Sequence, residues 1–139
     1  MLQPSEIRVG ILCATSSVDR NALCVAMALA GLAEHNIEIK HIPGNRHVAM
    51  GVLFFAEYTE VDCVLVVSDS ALDVEVRKTL LELQMQWNMP IDYTTPLQEP
   101  MRESLAALVA MVQLQSEMAA EVPAERMVSN NKPRKDSIN

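Results

Sequence analysis

An α/β fold, with a four-stranded parallel sheet and helices on both faces, is predicted by three observations on this chain. Short apolar runs alternate with helical patterns, strand then helix, four times over. The third run, Val61-Asp-Cys-Val-Leu-Val-Val67, is nearly all apolar, as suits a parallel strand covered on both faces. Ile37-Glu-Ile-Lys-His-Ile42 runs into Pro43-Gly44 and then into a helical pattern. Such strand-to-helix corners are where open α/β proteins place their ligands. The chain has 139 residues and is 50% apolar, enough for one domain with an ordinary core.

Each element has its own signal. Ile7 to Cys13 reads as the first strand, broken by Ala14-Thr-Ser-Ser17. Asp19 to Glu34 is helical in spacing, with Asp19 or Ser17 able to cap its first turn. His35-Asn36 closes that pattern, and His35 suits a helix C-terminus by its charge. Ile37 to Ile42 is the second strand. Arg46 to Tyr58 is the second helix, with Val48, Val52, Phe55 and Ala56 at helical spacing. Ser68-Asp-Ser70 turns the third strand into a helix from Ala71 to Trp87, where Asp69 or Ser70 can cap. Met89 to Tyr93 is a weak fourth strand, and Pro90 puts it at an edge or marks its start. A loop from Thr94 to Pro100 leads to a long helix, Met101 to about Glu121. Leu105, Leu108, Val109, Val112 and Met118 form its apolar stripe. Pro123 stops it. The domain is expected over 1–122, with a polar tail over 123–139.

Charge and composition exclude several classes. The formal charge of −7 repels nucleic acid and anionic membranes. Lys132-Pro-Arg-Lys135 is the one dense basic run, and it reads as solvated tail. No apolar run reaches the ~18 residues of a membrane span. Met1-Leu-Gln-Pro-Ser-Glu6 has no basic region ahead of an apolar stretch, so no signal peptide is expected. Cys13, Cys24 and Cys63 have neither CxxC nor metal-ligand spacing, and read as buried, reduced thiols of a cytoplasmic protein. The four glycines make neither GxxxxGK[ST] nor GxGxxG, which argues against a nucleotide site.

Four corners can present helix N-termini to an anion: 14–18, 43–46, 68–71 and 94–100. His47 can shuttle protons and Arg46 beside it can bind an anion. His41, near the end of the second strand, can contact a ligand. Asp69 and Asp73 flank the third corner as possible bases or metal ligands. Ser16 and Ser17 lack the GxSxG frame of a nucleophile. Arg77-Lys78 reads as solvated surface. Trp87 reads as core or interface. Arg102 opposes the dipole of the helix it begins, so an external anion or a subunit partner is expected for it.

Taken in order, Arg8-Val-Gly-Ile-Leu12, Val18-Asp19, Ile37-Glu-Ile39, Ile42-Pro-Gly44 and Val61–Val67 resemble lumazine synthase and its relative, the archaeal-type riboflavin synthase. Met89-Pro-Ile91 before Thr94-Thr95, and the helix containing Ser104-Leu-Ala-Ala-Leu108, fit the same series. The resemblance spans about residues 7 to 120. It implies a three-layer flavodoxin-like sandwich that assembles into pentamers, in some members stacked or built into hollow shells, with sites between subunits. It implies no cofactor. Its ligands would be a ribitylamino-pyrimidine with a four-carbon ketose phosphate, or two lumazines dismutated to riboflavin.

Residue by residue, the resemblance puts Ser16 or Ser17 where the family stacks an aromatic on the pyrimidine. Pro43-Gly44 matches, with Asn45 following. The acidic residue that grips the ribityl chain is replaced by Arg46 or His47. Ser68-Asp69-Ser70-Ala71 stands in for a glycine-containing phosphate loop. Residues 48–139 contain no histidine, where the family has one for proton transfer. Arg102 falls near a basic residue that helps bind phosphate. Three readings follow. One is a self-assembling homo-oligomer with a degenerate or altered pocket and a scaffold or shell role. Another is an active synthase using His47 as its acid–base group, with a pyrimidine, lumazine or anion held by Ser16, Ser17, Gly44, Asn45, Arg46, Ser68, Asp69, Ser70 and Arg102. The third is an unrelated flavodoxin-like binding domain.

Overall fold

A computed structural model of the protein describes residues 2–121. Four strands, β1 (Val9–Cys13), β2 (Ile37–His41), β3 (Cys63–Val67) and β4 (Ile91–Thr94), form one sheet in the order β2-β1-β3-β4. Every pairing is parallel, with Val9 opposite both Ile37 and Cys63, and Val64 opposite Ile91. Four α-helices follow the strands in turn: α1 (Arg20–Leu29), α2 (Val48–Tyr58), α3 (Val74–Trp87) and α4 (Gln98–Glu121). Short 3-10 turns cover Pro4–Glu6, Glu34–Asn36 and Asn45–His47. The result is the expected flavodoxin-like three-layer sandwich.

The two helical layers explain why β1 and β3 are apolar without alternation. Val9, Ile11 and Cys13 of β1 and Cys63, Leu65 and Val67 of β3 face α1 and α4. Leu12, Val64 and Val66 face α2 and α3. All five residues of each strand are buried. Helix α2 packs closely on β1 at two glycines. A Cβ on Gly10 would sit 2.8 Å from ring atoms of Phe55, and one on Gly51 would sit 2.6 Å from Leu12 Cδ2. Small residues on each element thus receive large ones from the other. The four positions expected to face inward on α2, Val48, Val52, Phe55 and Ala56, are all buried.

Several boundaries differ from expectation. Helix α1 stops at Leu29, five residues short of Glu34. Gly31 takes a left-handed φ of 81°, while its N–H bonds Ala28 O and the Leu32 N–H bonds Met27 O. This paired closure satisfies carbonyls at the helix end and turns the chain away. His35 therefore lies in the 3-10 turn Glu34–Asn36 rather than capping α1. Asp19 does cap α1, accepting from Asn21 N at 2.9 Å. Helix α3 begins at Val74, and its cap is Asp73, which accepts from Val76 N at 2.9 Å; Asp69 and Ser70 are engaged elsewhere. Helix α4 begins at Gln98 with Pro100 in its first turn, where a missing N–H costs no helical bond. Met118 is 56% exposed, not part of the buried stripe. With 24 residues, α4 runs about 36 Å, whereas a five-residue strand spans about 17 Å, so the helix outruns the sheet. Pro123 and the tail over 123–139 lie outside the described residues. Among those described, no helix is long and apolar enough to cross a membrane.

Trp87 is core, at 4% exposure. Cys13 and Cys63 are buried, but Cys24 is exposed, on the outward side of α1 rather than in the core. Burial pushes the Cys13 thiol above its ordinary pKa, an effect partly offset by the charge of Arg20. Thiolate is the reactive form. Native protein should therefore alkylate rapidly at Cys24 alone, with Cys13 and Cys63 labelling only after unfolding. Mass spectrometry of the labelled protein checks this, and rapid native labelling of Cys13 would contradict the packing of β1.

Candidate functional site

The chain leaves β1 toward β2 and leaves β3 toward β4, so the direction of winding reverses between β1 and β3. At such a switch point the loops part, leaving a crevice beyond the carboxyl ends of the strands. Three of the four corners singled out above meet here. Backbone bonds carry the sheet one residue past its strands, with Ala14 N donating to Val67 O at 2.8 Å and Ile42 N to Cys13 O at 2.9 Å.

Side chains then span the crevice. Thr15 Oγ1 donates to Asp69 Oδ2 at 2.8 Å, tying the β1 corner to the β3 corner. Asn45 arrives from the β2 corner. Its Nδ2 donates to Ser70 Oγ at 2.9 Å, and its Oδ1 accepts from Ser68 Oγ at 2.7 Å. The same Ser68 hydroxyl lies 2.8 Å from Ser70 O, and Ser70 N donates to it at 3.3 Å. Ser68 is the one buried polar residue among those described, at 3% exposure, and these partners satisfy it. Each corner is thus held by a neighbour distant in sequence.

Losing the Asn45 amide should be costly, because Ser68 would keep only local partners. Asn45→Ala is expected to lower stability by about 1–3 kcal/mol, read from the urea midpoint at unchanged m-value. A change below about 0.5 kcal/mol, the range of ordinary surface substitutions, would mean the network does not brace the corners.

The other residues singled out from the sequence are disposed differently. Ser16 and Ser17 are exposed; the Ser17 N–H bonds Thr15 Oγ1 at 3.1 Å. Gly44 is fully extended, with φ 174°, and a Cβ there would meet nothing within 4 Å. The chain itself therefore does not require glycine at this corner. Arg46 and His47 are exposed, and neither side chain makes a hydrogen bond or ion pair among the described residues. His47 lines a groove with Pro43, Met50 and Phe54, not the Asn45–Ser68–Ser70 network. His41 is also exposed and lines a groove with Arg20 and Cys24. Arg102 is paired within its own helix: both its Nε, at 2.9 Å, and its Nη2 donate to Glu99 Oε1. That bond lowers the Glu99 carboxyl pKa and gives the cation a partner inside the chain. Asp69 and Asp73 have separate duties, one bonded to Thr15 and one capping α3.

A cavity of about 230 Å³ adjoins the network, lined by Ser68–Leu72, Arg77 and Tyr93–Thr95. Arg77, read from the sequence as solvated surface, is exposed, and it also lines this cavity. A larger hollow of about 580 Å³ lies at the opposite edge of the sheet, where Arg8, Ile37 and Val61 begin the strands; its place away from the corner network separates it from the crevice. No group of three or more His, Cys, Asp or Glu side chains able to hold a metal occurs among the described residues. No protein-family model matches the chain, and neither does any curated protein.

Proposed function

We propose that this chain is a lumazine-synthase-like subunit that assembles with copies of itself and serves as a scaffold, its crevice no longer suited to the family's condensation or dismutation. The observation that carries this reading is how the crevice is occupied. Thr15 and Asp69 bridge it, and Asn45 draws Ser68 and Ser70 together across it. A carboxylate, that of Asp69, stands at the third corner, where the resemblance implies a phosphate, and like charges repel. No aromatic side chain occupies the corner after β1.

A pentamer, or a multiple of one built into a shell, is the assembly the resemblance implies. Apolar side chains left exposed on the helices support association, among them Met50, Phe54 and Tyr58 on α2. The proposed setting is the cytoplasm. A retained small ligand, a pyrimidine, would enter the cavity beside Arg77. The active-synthase alternative needs His47 for proton transfer, and that side chain shares no bond with the corner network.

Incubation with a ribitylamino-pyrimidine and a ketose phosphate, followed by lumazine absorbance, tests the reading. The expected result is formation at the uncatalysed rate. Turnover above that rate would establish the active-synthase alternative, and His47→Ala should then slow it by ~100-fold or more.

A further inference from the structure

Helix α2 has a composition that its position in the monomer does not explain. Its sequence, Val-Ala-Met-Gly-Val-Leu-Phe-Phe-Ala-Glu-Tyr, carries one formally charged residue, Glu57, in 11. A helix apolar on all sides is normally buried on all sides. Here only one side is covered, by β1, β3 and α3. Met50, Phe54 and Tyr58 recur every fourth residue on the outward side and are exposed by 73%, 42% and 73%. Phe54 and Tyr58 stack with centroids 5.6 Å apart, and Lys40 Nζ of β2 lies 5.9 Å from the Phe54 ring centroid. Beside them runs a groove of about 400 Å³, walled by Ile42, Pro43, His47, Met50 and Phe54. The outward side of α3 differs, since Glu75, Arg77, Lys78 and Glu82 interrupt its exposed apolar residues.

We propose that this face, the outer side of α2 with the adjoining edge strand β2, is the surface on which a second copy of the chain docks. The assignment rests on the self-assembly proposed above and locates it. Charge selects the occupant. Two copies at −7 each repel over most of their surfaces. On this face the carboxylates are few and in part offset: Glu57 is the one on α2, and Glu38 of β2 lies 4.0 Å from Lys40 Nζ, with Arg46 and His47 at the rim, so two copies meet there with less repulsion than over the acidic remainder of the surface. Area agrees. Three large side chains exposed to this degree present on the order of 350–400 Å², toward half of the ~800 Å² per partner of a standard interface. The groove walls and the free edge of β2 supply more. Aromatic and Met enrichment with charge depletion is the compositional mark of an interface core.

Phe54→Glu tests the assignment by sedimentation velocity beside the wild type, with circular dichroism confirming the fold. Wild type should sediment as an oligomer and Phe54→Glu as smaller species, while Met118→Asp on α4 keeps the wild-type size. A folded Phe54→Glu protein that keeps that size overturns the assignment and leaves self-assembly standing. Equal dissociation by Met118→Asp overturns it too. A monomeric wild type overturns both. A second measurement does not depend on folding of the charged variant: benzoylphenylalanine in place of Tyr58, illuminated in the native assembly. The expected product is a covalent species of twice the subunit mass, and its absence overturns the assignment.

Discussion

Phe55→Ala is expected to lower the unfolding free energy by about 3–5 kcal/mol. Phe55 is fully buried and fills the space that Gly10 leaves open on β1. Removing the ring therefore empties a volume that has no side chain on its strand side to relax into it. A domain is stable by only about 5–15 kcal/mol, so the variant should retain a fraction of that and melt at a clearly lower temperature. Denaturant titration gives the value. A cost below about 2 kcal/mol would mean that α2 settles onto the sheet and closes the gap.

Gly10→Val is the second large effect, and two principles oppose each other in it. Valine favours strands over glycine by up to ~1 kcal/mol, so propensity alone predicts stabilisation. Overpacking a filled core typically costs 1–3 kcal/mol and occasionally more. A Cβ 2.8 Å from the Phe55 ring is closer than carbon atoms approach, and the ring itself is fully buried and cannot swing into solvent. The clash should win, with net destabilisation of about 1–3 kcal/mol. Combining Gly10→Ala with Phe55→Leu should cost less than the sum of the two single changes, because the residues share one space. A stabilised Gly10→Val protein would contradict the close approach of α2 to β1.

The strands and the inward face of α2 were legible in the sequence because periodicity reports burial directly, whereas the stripe read on α4 ran one residue too far, to the exposed Met118. Val48, Val52, Phe55 and Ala56 follow from spacing alone, as does the continuous apolar run of β3. Helix ends were less legible. Leu32-Ala33 continues the apolar pattern of α1, yet the helix stops before them, because the left-handed backbone at Gly31 ends it. A glycine inside an apolar run permits that conformation without requiring it. Asp69, Ser70 and Asp73 are equally good caps by composition. Only the fold assigns Asp73 to α3 and leaves Asp69 for Thr15, 54 residues away.

The crevice was legible as a set of corners, not as a network. That 14–18, 43–46 and 68–71 meet follows from the alternation of strands and helices, since parallel strands put their carboxyl ends on one edge. That Asn45 joins Ser68 and Ser70 depends on side-chain reach across 23 and 25 residues of sequence, for which no local pattern exists. Arg46 and His47, the residues with the most evident chemistry, make no side-chain hydrogen bond or ion pair among the described residues. Asn45 between Gly44 and Arg46, with the least evident chemistry, makes the connection.

Self-assembly is the central claim, and the native mass of the wild-type chain at micromolar concentration tests it most directly. One subunit is 15.4 kDa. A stable species at a whole multiple of that mass, a pentamer or a multiple of one, is the predicted result. A single species at the mass of one subunit would contradict the account.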